Sequence, residues 1–301
     1  MIELLLLLTL CLNITSDIVD RRVSCASNPR ALNLWASIVQ LLLVFPFVFW
    51  LKWPGWEHLL LLLLVGGFSG FAREHWYRAL AQRHEALSRF VPFIRLSSVL
   101  VLVLAVLVLG EKMTTIMALG ALLMIGAGFM ISLERFGAGW REFFHANRAL
   151  ALVVVFATSN AFISVSYKYL LGFEISIMTI YFYLKLFQCL PLVAKSAADG
   201  TLSSSRMEIS HLPLFVTSRI FQTVAALVFL LVLYRLPLSR VEPLMALSPF
   251  LYLAWEWLER RYRLFGYVPA ETSAVTVRWM PLLRLTATCM TIAGFILLHH
   301  N

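Results

Sequence analysis

The chain is predicted to be an all-α polytopic membrane protein of ten transmembrane helices, arranged as an inverted five-plus-five repeat. Three observations lead there. The first is composition: of 301 residues, 60% are hydrophobic and 14% charged, with a mean hydropathy of +0.83. That balance excludes an ordinary soluble domain. The second is length, because the apolar runs sit inside segments of about 20 residues, enough to cross a hydrocarbon core of ~30 Å. The third is repetition. Leu87-Ser88-Arg89-Phe90-Val91-Pro92-Phe93-Ile94-Arg95-Leu96-Ser97-Ser98 returns as Leu238-Ser239-Arg240-Val241-Glu242-Pro243-Leu244-Met245-Ala246-Leu247-Ser248-Pro249, six of twelve positions being identical at an offset of 151. A looser echo links Asn13–Arg21 to Asn160–Lys168 at an offset of 147, and a third links Ala127–Ile131 to Ala293–Leu297.

The ten spans follow in order. Ile2–Arg22 carries the apolar run Leu4–Leu8 behind an acidic Met1-Ile2-Glu3, so it reads as a retained helix rather than a secretory leader. Arg30–Leu51 follows, then Trp56–Leu80, with the run Leu59–Val65 and the close-packing glycines Gly66, Gly67 and Gly70. Leu87–Leu109 holds Pro92 early and the run Val99–Leu109 late. Met113–Leu133 carries Gly120 and Gly126. Asn147–Leu171, Ile175–Lys195 and Leu212–Tyr234, with its run Ala225–Leu233, open the second half. Leu238–Trp257 contains Pro243 and Pro249, which are expected to kink it or free carbonyls, and Met280–His299 closes the set. The repeats are thus expected at 1–134 and 147–301, with an interfacial linker at 135–146 rich in aromatics (Phe136, Trp140, Phe143, Phe144). Five spans per half oblige the second half to enter from the opposite face, which makes the repeat inverted, an arrangement that in transporters puts the substrate site between the halves.

The net charge of +9 does not mark a nucleic-acid binder, since the basic residues sit mostly at span ends. Loops after odd-numbered spans hold fifteen Lys and Arg residues against five on the other face. Taken alone, that bias places the odd loops in the cytoplasm. Cys11, Cys25, Cys189 and Cys289 are scattered without metal or redox spacing, and the seven histidines do not cluster as ligands. No HExxH, GxSxG or P-loop pattern occurs, so no enzyme, cofactor, metal or ATP-driven pump is expected.

Ionisable groups inside a span are costly and turn toward protein or water. Asn13, Asp17 and Asp20 share one face of the first span, Ser69, Arg73, Trp76 and Tyr77 one face of the third, with Glu74 and Arg78 beside them. Tyr181, Lys185 and Gln188 align on the seventh span and Arg219 and Gln222 on the eighth; Arg95 lies two turns into the fourth, Asn160 and Ser164 are mid-sixth, and Glu242 and Glu256 flank the ninth. We take Asn13, Asp17, Arg73, Glu74, Arg95, Asn160, Lys185, Arg219 and Glu256 as substrate-binding candidates. Asp20, Arg21, Arg22 and Lys168, near span ends, read as interfacial anchors, and Glu111 as a helix cap. The four deep cations Arg73, Arg95, Lys185 and Arg219 outnumber their dependable carboxylates, which suits an anionic group; a competing reading makes them structural ion pairs with Glu74, Asp17 or Glu256.

Tyr77-Arg78-Ala79-Leu80, the closing Leu109-Gly110-Glu111-Lys112, and Gly120-Ala121-Leu122-Leu123 with Gly126 resemble the EamA-type drug/metabolite transporter superfamily. The resemblance runs through helix count, repeat length and motif order over nearly the whole chain. Ser98 departs from it, standing at a position where the family has a mid-helix proline that Pro249 keeps in the second half, and Tyr262 replaces the second Glu of the Gly-Glu pair. The family implies cytoplasmic termini, opposite to the charge bias. Together these readings anticipate a multi-pass protein of the cell (inner) membrane, monomer or homodimer. It would be a secondary transporter or exporter of a small polar, anionic or zwitterionic metabolite, working by alternating access, with Asp17, Glu74 and Glu256 as proton-coupling candidates. The alternatives are a translocase of a phosphorylated lipid carrier and a non-transporting scaffold subunit.

Overall fold

The structure, a computed structural model, describes residues 2–81, 96–133, 148–199, 212–245, 247–248, 250–252, 254, 258 and 280–299. Among them are ten α-helices and no strand: α1 (Ile2–Ala26), α2 (Pro29–Val44), α3 (Trp56–Leu80), α4 (Leu96–Leu109), α5 (Thr115–Leu133), α6 (Arg148–Leu171), α7 (Ile177–Ala198), α8 (Leu212–Arg235), α9 (Leu238–Met245) and α10 (Met280–His299). Each falls within an expected span or overruns it by a few residues. Five segments are long and apolar enough to cross a membrane: Ile2–Cys25, Pro29–Trp50, Ala151–Leu171, Ile177–Ala198 and Leu212–Arg235. Ser97–Leu109, Thr115–Ala127 and Leu285–Leu297 are shorter apolar helices. α3 has the length of a span, 25 residues, but carries Glu57, Arg73, Glu74 and Arg78. Outward-facing Leu4, Leu7, Leu8, Leu60, Leu64, Leu107 and Leu122 give the helices the apolar surface that lipid, not water, satisfies.

Local chemistry explains where these helices begin and end. Asn28 caps α2 by accepting from the Arg30 N–H at 3.0 Å, and Pro29 takes the first-turn place where its missing N–H costs nothing. The second expected span does not stay α-helical to its end: Phe45–Trp50 tightens into a 3-10 turn, at the proline Pro46. Ser176 caps α7 through the Thr179 N–H at 3.2 Å. In the ninth span the described helix runs to Met245, Leu247 sits in a turn, and helix is found again at Ser248 and from Phe250. Leu247 N–H reaches Leu244 O at 3.1 Å and Phe250 N–H reaches Leu247 O at 3.1 Å, bonds three residues back in place of four. This break lies between Pro243 and Pro249, neither of which has a backbone N–H to offer the ladder.

The chain packs as two compact units. The first comprises Met1–Ala81 and Phe162–Arg235, the second Gln82–Ala161 and Leu236–Asn301, so each draws helices from both sequence halves, and α6 changes unit at Phe162. In the first unit α1 packs along α8, and α7 packs against α3 and α2. Gly66 makes that approach possible: a Cβ there would stand 2.8 Å from Phe187 Cβ and 2.9 Å from the Leu184 carbonyl. Gly67, one position round the helix, faces open space and is no part of the seam. At the end of this unit where α2 meets α3, Phe49, Trp50, Trp53 and Trp56 stand exposed, a belt suited to a membrane–water interface. Lys168 serves the same end differently from the anchor expected, donating to the Leu233 carbonyl near the α8 C-terminus at 2.6 Å.

In the second unit α5 and α10 form the main seam, closed by Gly294, whose Cβ would lie 2.6 Å from Met124 Cγ and 2.7 Å from the Gly120 carbonyl. Ala127 and Ala287 are fully buried beside it, under Met130, Phe250 and Met290. α9 packs on α4 and α5. Gly110, at φ 63°, takes the left-handed conformation that ends α4 and turns the chain toward α9. Glu111 then accepts the first backbone N–H groups of α9, Leu238 and Ser239, each at 2.8 Å. The Gly-Glu pair of one half thus caps a helix of the other, and the capping role expected of Glu111 is met. Deeper in this unit Ser98 donates to the buried Glu242 carboxylate at 3.1 Å, a bond that a proline at 98 would lack.

Candidate functional site

The first unit encloses a polar core contributed by α1, α2, α3, α7 and α8. Its centre is Arg219 of α8, whose side chain is fully buried and ion-paired with Asp20 of α1, 1% exposed. The same guanidinium donates to Tyr77 Oη at 2.7 Å, to Ser218 Oγ at 2.8 Å and to Gln222 Oε1 at 2.5 Å, and it lies over the Phe215 ring at 5.1 Å. Ser218 in turn donates to Asp20 Oδ1 at 2.7 Å, and Tyr77 bonds Asp20 Oδ2 at 3.5 Å. Ser16 and Ser218 hydroxyls meet at 2.9 Å, tying α1 to α8 once more. A charge withdrawn from water this completely is tolerable only when paired and hydrogen-bonded, and Arg219 is both.

Gln222, one turn further along α8, joins three helices. Its Oε1 accepts from Gln40 Nε2 of α2 at 3.0 Å, from Arg219, and from Arg73 of α3. One amide oxygen therefore holds two guanidinium groups, while Asp20 neutralises only the first. On α7, the buried Lys185 donates to Gln188 Oε1 at 3.1 Å and stands 5.3 Å from the Tyr181 ring centre. Tyr181 reaches Thr223 of α8 at 3.4 Å, beside Gln222. Among the described residues no carboxylate lies within ion-pair distance of Arg73 or Lys185. Asp17, half-buried on α1, accepts from Trp76 Nε1 at 3.3 Å.

Of the nine sequence candidates, Asp17, Arg73, Lys185 and Arg219 come together in this core, and Asn13 lies half-buried on the α1 face that carries Asp17 and Asp20. Glu74 belongs to a different cluster on α3. It binds Arg30 Nε at 3.2 Å and Arg78 one turn on, a pairing near the helix end in which Arg30 is 58% exposed. Asn160 is half-buried on the part of α6 that belongs to the second unit. Arg95 and Glu256 lie outside the described residues.

Asp20, Asn33, Gln40 and Gln188 belong to the core without having been singled out as binding groups. Asp20 is not the interfacial anchor that its place near the span end predicts: it is 2% exposed and is the counter-ion of Arg219, a role the sequence offers to Glu74, Asp17 or Glu256. Arg21 is likewise buried, whereas Arg22 is exposed as expected. A signal existed for α2, since Asn33, Ser37 and Gln40 recur at i, i+4 and i+7 and all are buried. No cluster of metal-ligating side chains occurs among the described residues.

Comparisons with known proteins agree with this architecture. Twenty-seven chains of solved structures match; one, described only as "Crystal structure of protein", superposes with a TM-score of 0.67, covering 99% of this chain and 97% of its own at 14% identity. At that identity the likeness speaks to the fold alone. None of the curated proteins matches. Residues 1–133 match the EamA-like transporter family. That match covers helices α1 to α5 and carries the Gly-Glu cap described above. By these residues the chain is similar to the EamA-like transporter family, whose members are membrane transporters rather than enzymes, and its apolar helices are those of a multi-pass integral membrane protein.

Proposed function

We propose that the protein is a secondary transporter of a small polar metabolite bearing an anionic group, zwitterions included, and that its ten helices form an inverted repeat working by alternating access. The observation that carries the substrate reading is the charge balance of the polar core. Arg73, Lys185 and Arg219 supply three cations, two of them held on the one oxygen of Gln222, and of the three it is Arg219 that has a carboxylate within ion-pair distance among the described residues, Asp20. Like charges drawn together inside a low-dielectric core repel each other, and an incoming carboxylate or phosphate relieves that repulsion. A purely cationic solute would increase it. Asp17, beside Trp76, is the carboxylate best placed to accept a coupling proton.

The test is a flux panel in proteoliposomes with matched anionic, zwitterionic and cationic solutes. Substrate-dependent counterflow of anions or zwitterions supports the reading; counterflow restricted to cations contradicts it. Translocation of a phosphorylated lipid carrier shares the same headgroup chemistry, and a lipid-phosphate arm in the panel separates the two.

A further inference from the structure

Two kinds of buried cation occupy the polar core, and their partners divide them. Arg219 has a counter-ion and four further contacts, so its two terminal nitrogens are committed to protein, while its Nε has no partner. Lys185, 3% exposed, has one hydrogen bond to Gln188 and an aromatic ring beside it. An ammonium carries three N–H donors, so two remain to be met.

Side chains near Lys185 carry buried polar atoms without partners. Gln188 and Asn33 are both 0% exposed, yet Gln188 Nε2 and Asn33 Oδ1 have no hydrogen-bond partner. Both lie at the same glycine. Asn33 Nδ2 donates to the Gly70 carbonyl at 2.8 Å, and a Cβ at Gly70 would stand 3.4 Å from Gln188 Cγ. A buried amide left half-bonded is costly, and its persistence at two neighbouring side chains points to a group that completes them. Arg73 and Arg219 lie within electrostatic range of Lys185.

We infer that Lys185 and Gln188 of α7, with Asn33 of α2, form the subsite for the oxyanion of the ligand, a carboxylate or phosphate, and that Arg219 is a positioning residue outside it. One ligand oxygen would take the free donors of Lys185, and a second would take Gln188 Nε2, a spacing that a two-oxygen group supplies and a halide does not. Asn33 Oδ1 would accept a hydroxyl or N–H from the remainder of the ligand. The inference rests on the transporter reading above and deepens it.

The experiment uses the full chain in detergent, with inorganic phosphate, acetate and dioctanoyl phosphatidic acid as probes against sodium chloride of equal ionic strength. A ligand that binds only the native state raises the melting temperature. The expected result is an upward shift with at least one probe. That shift should weaken by about tenfold or more in apparent affinity in Lys185→Met and Gln188→Leu, a loss of one partner in ten-to-one terms, and survive in Lys185→Arg. A shift from phosphate or acetate identifies a soluble anion; a shift from phosphatidic acid alone identifies a lipid phosphate. If Lys185→Met does not fold, Gln188→Leu and Lys185→Arg carry the comparison. An unchanged shift in Gln188→Leu, or no shift of the unsubstituted protein with any probe, overturns the subsite. Counterflow of anions together with an unchanged shift removes this inference and leaves the transporter reading in place, whereas absence of anion counterflow removes that reading itself.

Discussion

Asp20 and Arg219 form a buried ion pair that joins α1 to α8 in the first unit. Each is buried and each needs the other, so removing one leaves an uncompensated charge in an apolar surrounding. Asp20→Asn should therefore lower stability by roughly 3–5 kcal/mol, whereas Asp20→Asn combined with Arg219→Gln should recover part of the loss. Denaturation of the three variants measures this directly, and additive losses would show that the two side chains are independent. Helical spacing predicts inward faces for Asp17, Arg73, Lys185 and Arg219; Lys185 and Arg219 are buried, Asp17 and Arg73 half-buried. Spacing does not choose partners. Asp17 and Asp20 sit on the same face three residues apart, and only packing of α1 along α8 decides that Asp20 meets Arg219. The Asn33, Ser37 and Gln40 stripe was equally visible in the sequence, but uncharged residues gave no indication that they reached the same core.

Two elements show how short motifs act through helix geometry. Gly110 turns and Glu111 caps, so the pair ends α4 and starts α9 in one step. Replacing Glu111 with Ala should cost about 1–2 kcal/mol, from a lost cap and a lost charge at a helix N-terminus. Glu111→Gln, which keeps an acceptor, should cost less; equal melting temperatures for the two variants would contradict the capping role. The α3–α7 seam offers a second test. Gly66→Leu should disrupt the unit because Phe187 and the Leu184 backbone already occupy that space, while Gly67→Ala should change stability by no more than ~0.5 kcal/mol. The sequence marked both glycines alike, since it shows which helix is glycine-rich but not which face meets a neighbour. Span ends were legible to within a few residues. The 3-10 turn after Val44 and the break at Leu247 accompany prolines whose local effect depends on which backbone bonds the packing can replace.

At the scale of the whole molecule, helix positions and the resemblance to a transporter family are readable because length, hydropathy and repeat order survive where individual contacts do not. Orientation in the membrane draws on two opposed arguments. The fifteen-to-five bias of Lys and Arg places the loop after α1 in the cytoplasm and the loop after α2 outside. In the first unit Arg22, Arg30, Arg78 and Lys195 share the former end, while the exposed Trp50, Trp53 and Trp56 mark the latter. In a cysteine-free background, Lys52→Cys should thus label from outside intact cells and Asn28→Cys should not; the reverse pattern would establish the cytoplasmic termini that the family implies.

On the proposed function, Arg73 and Lys185, which have no carboxylate within ion-pair distance among the described residues, hold the transported anion. The most direct measurement is anion counterflow into proteoliposomes by the unsubstituted protein, by Arg73→Gln and Lys185→Gln, and by Arg22→Gln, whose side chain is exposed at the interface. The expected result is at least a tenfold loss for each core variant, corresponding to roughly 1.4 kcal/mol of lost ligand interaction, and transport within about twofold for Arg22→Gln. Normal counterflow by both Arg73→Gln and Lys185→Gln, at equal amounts of folded protein, would contradict it and reassign those charges to structure.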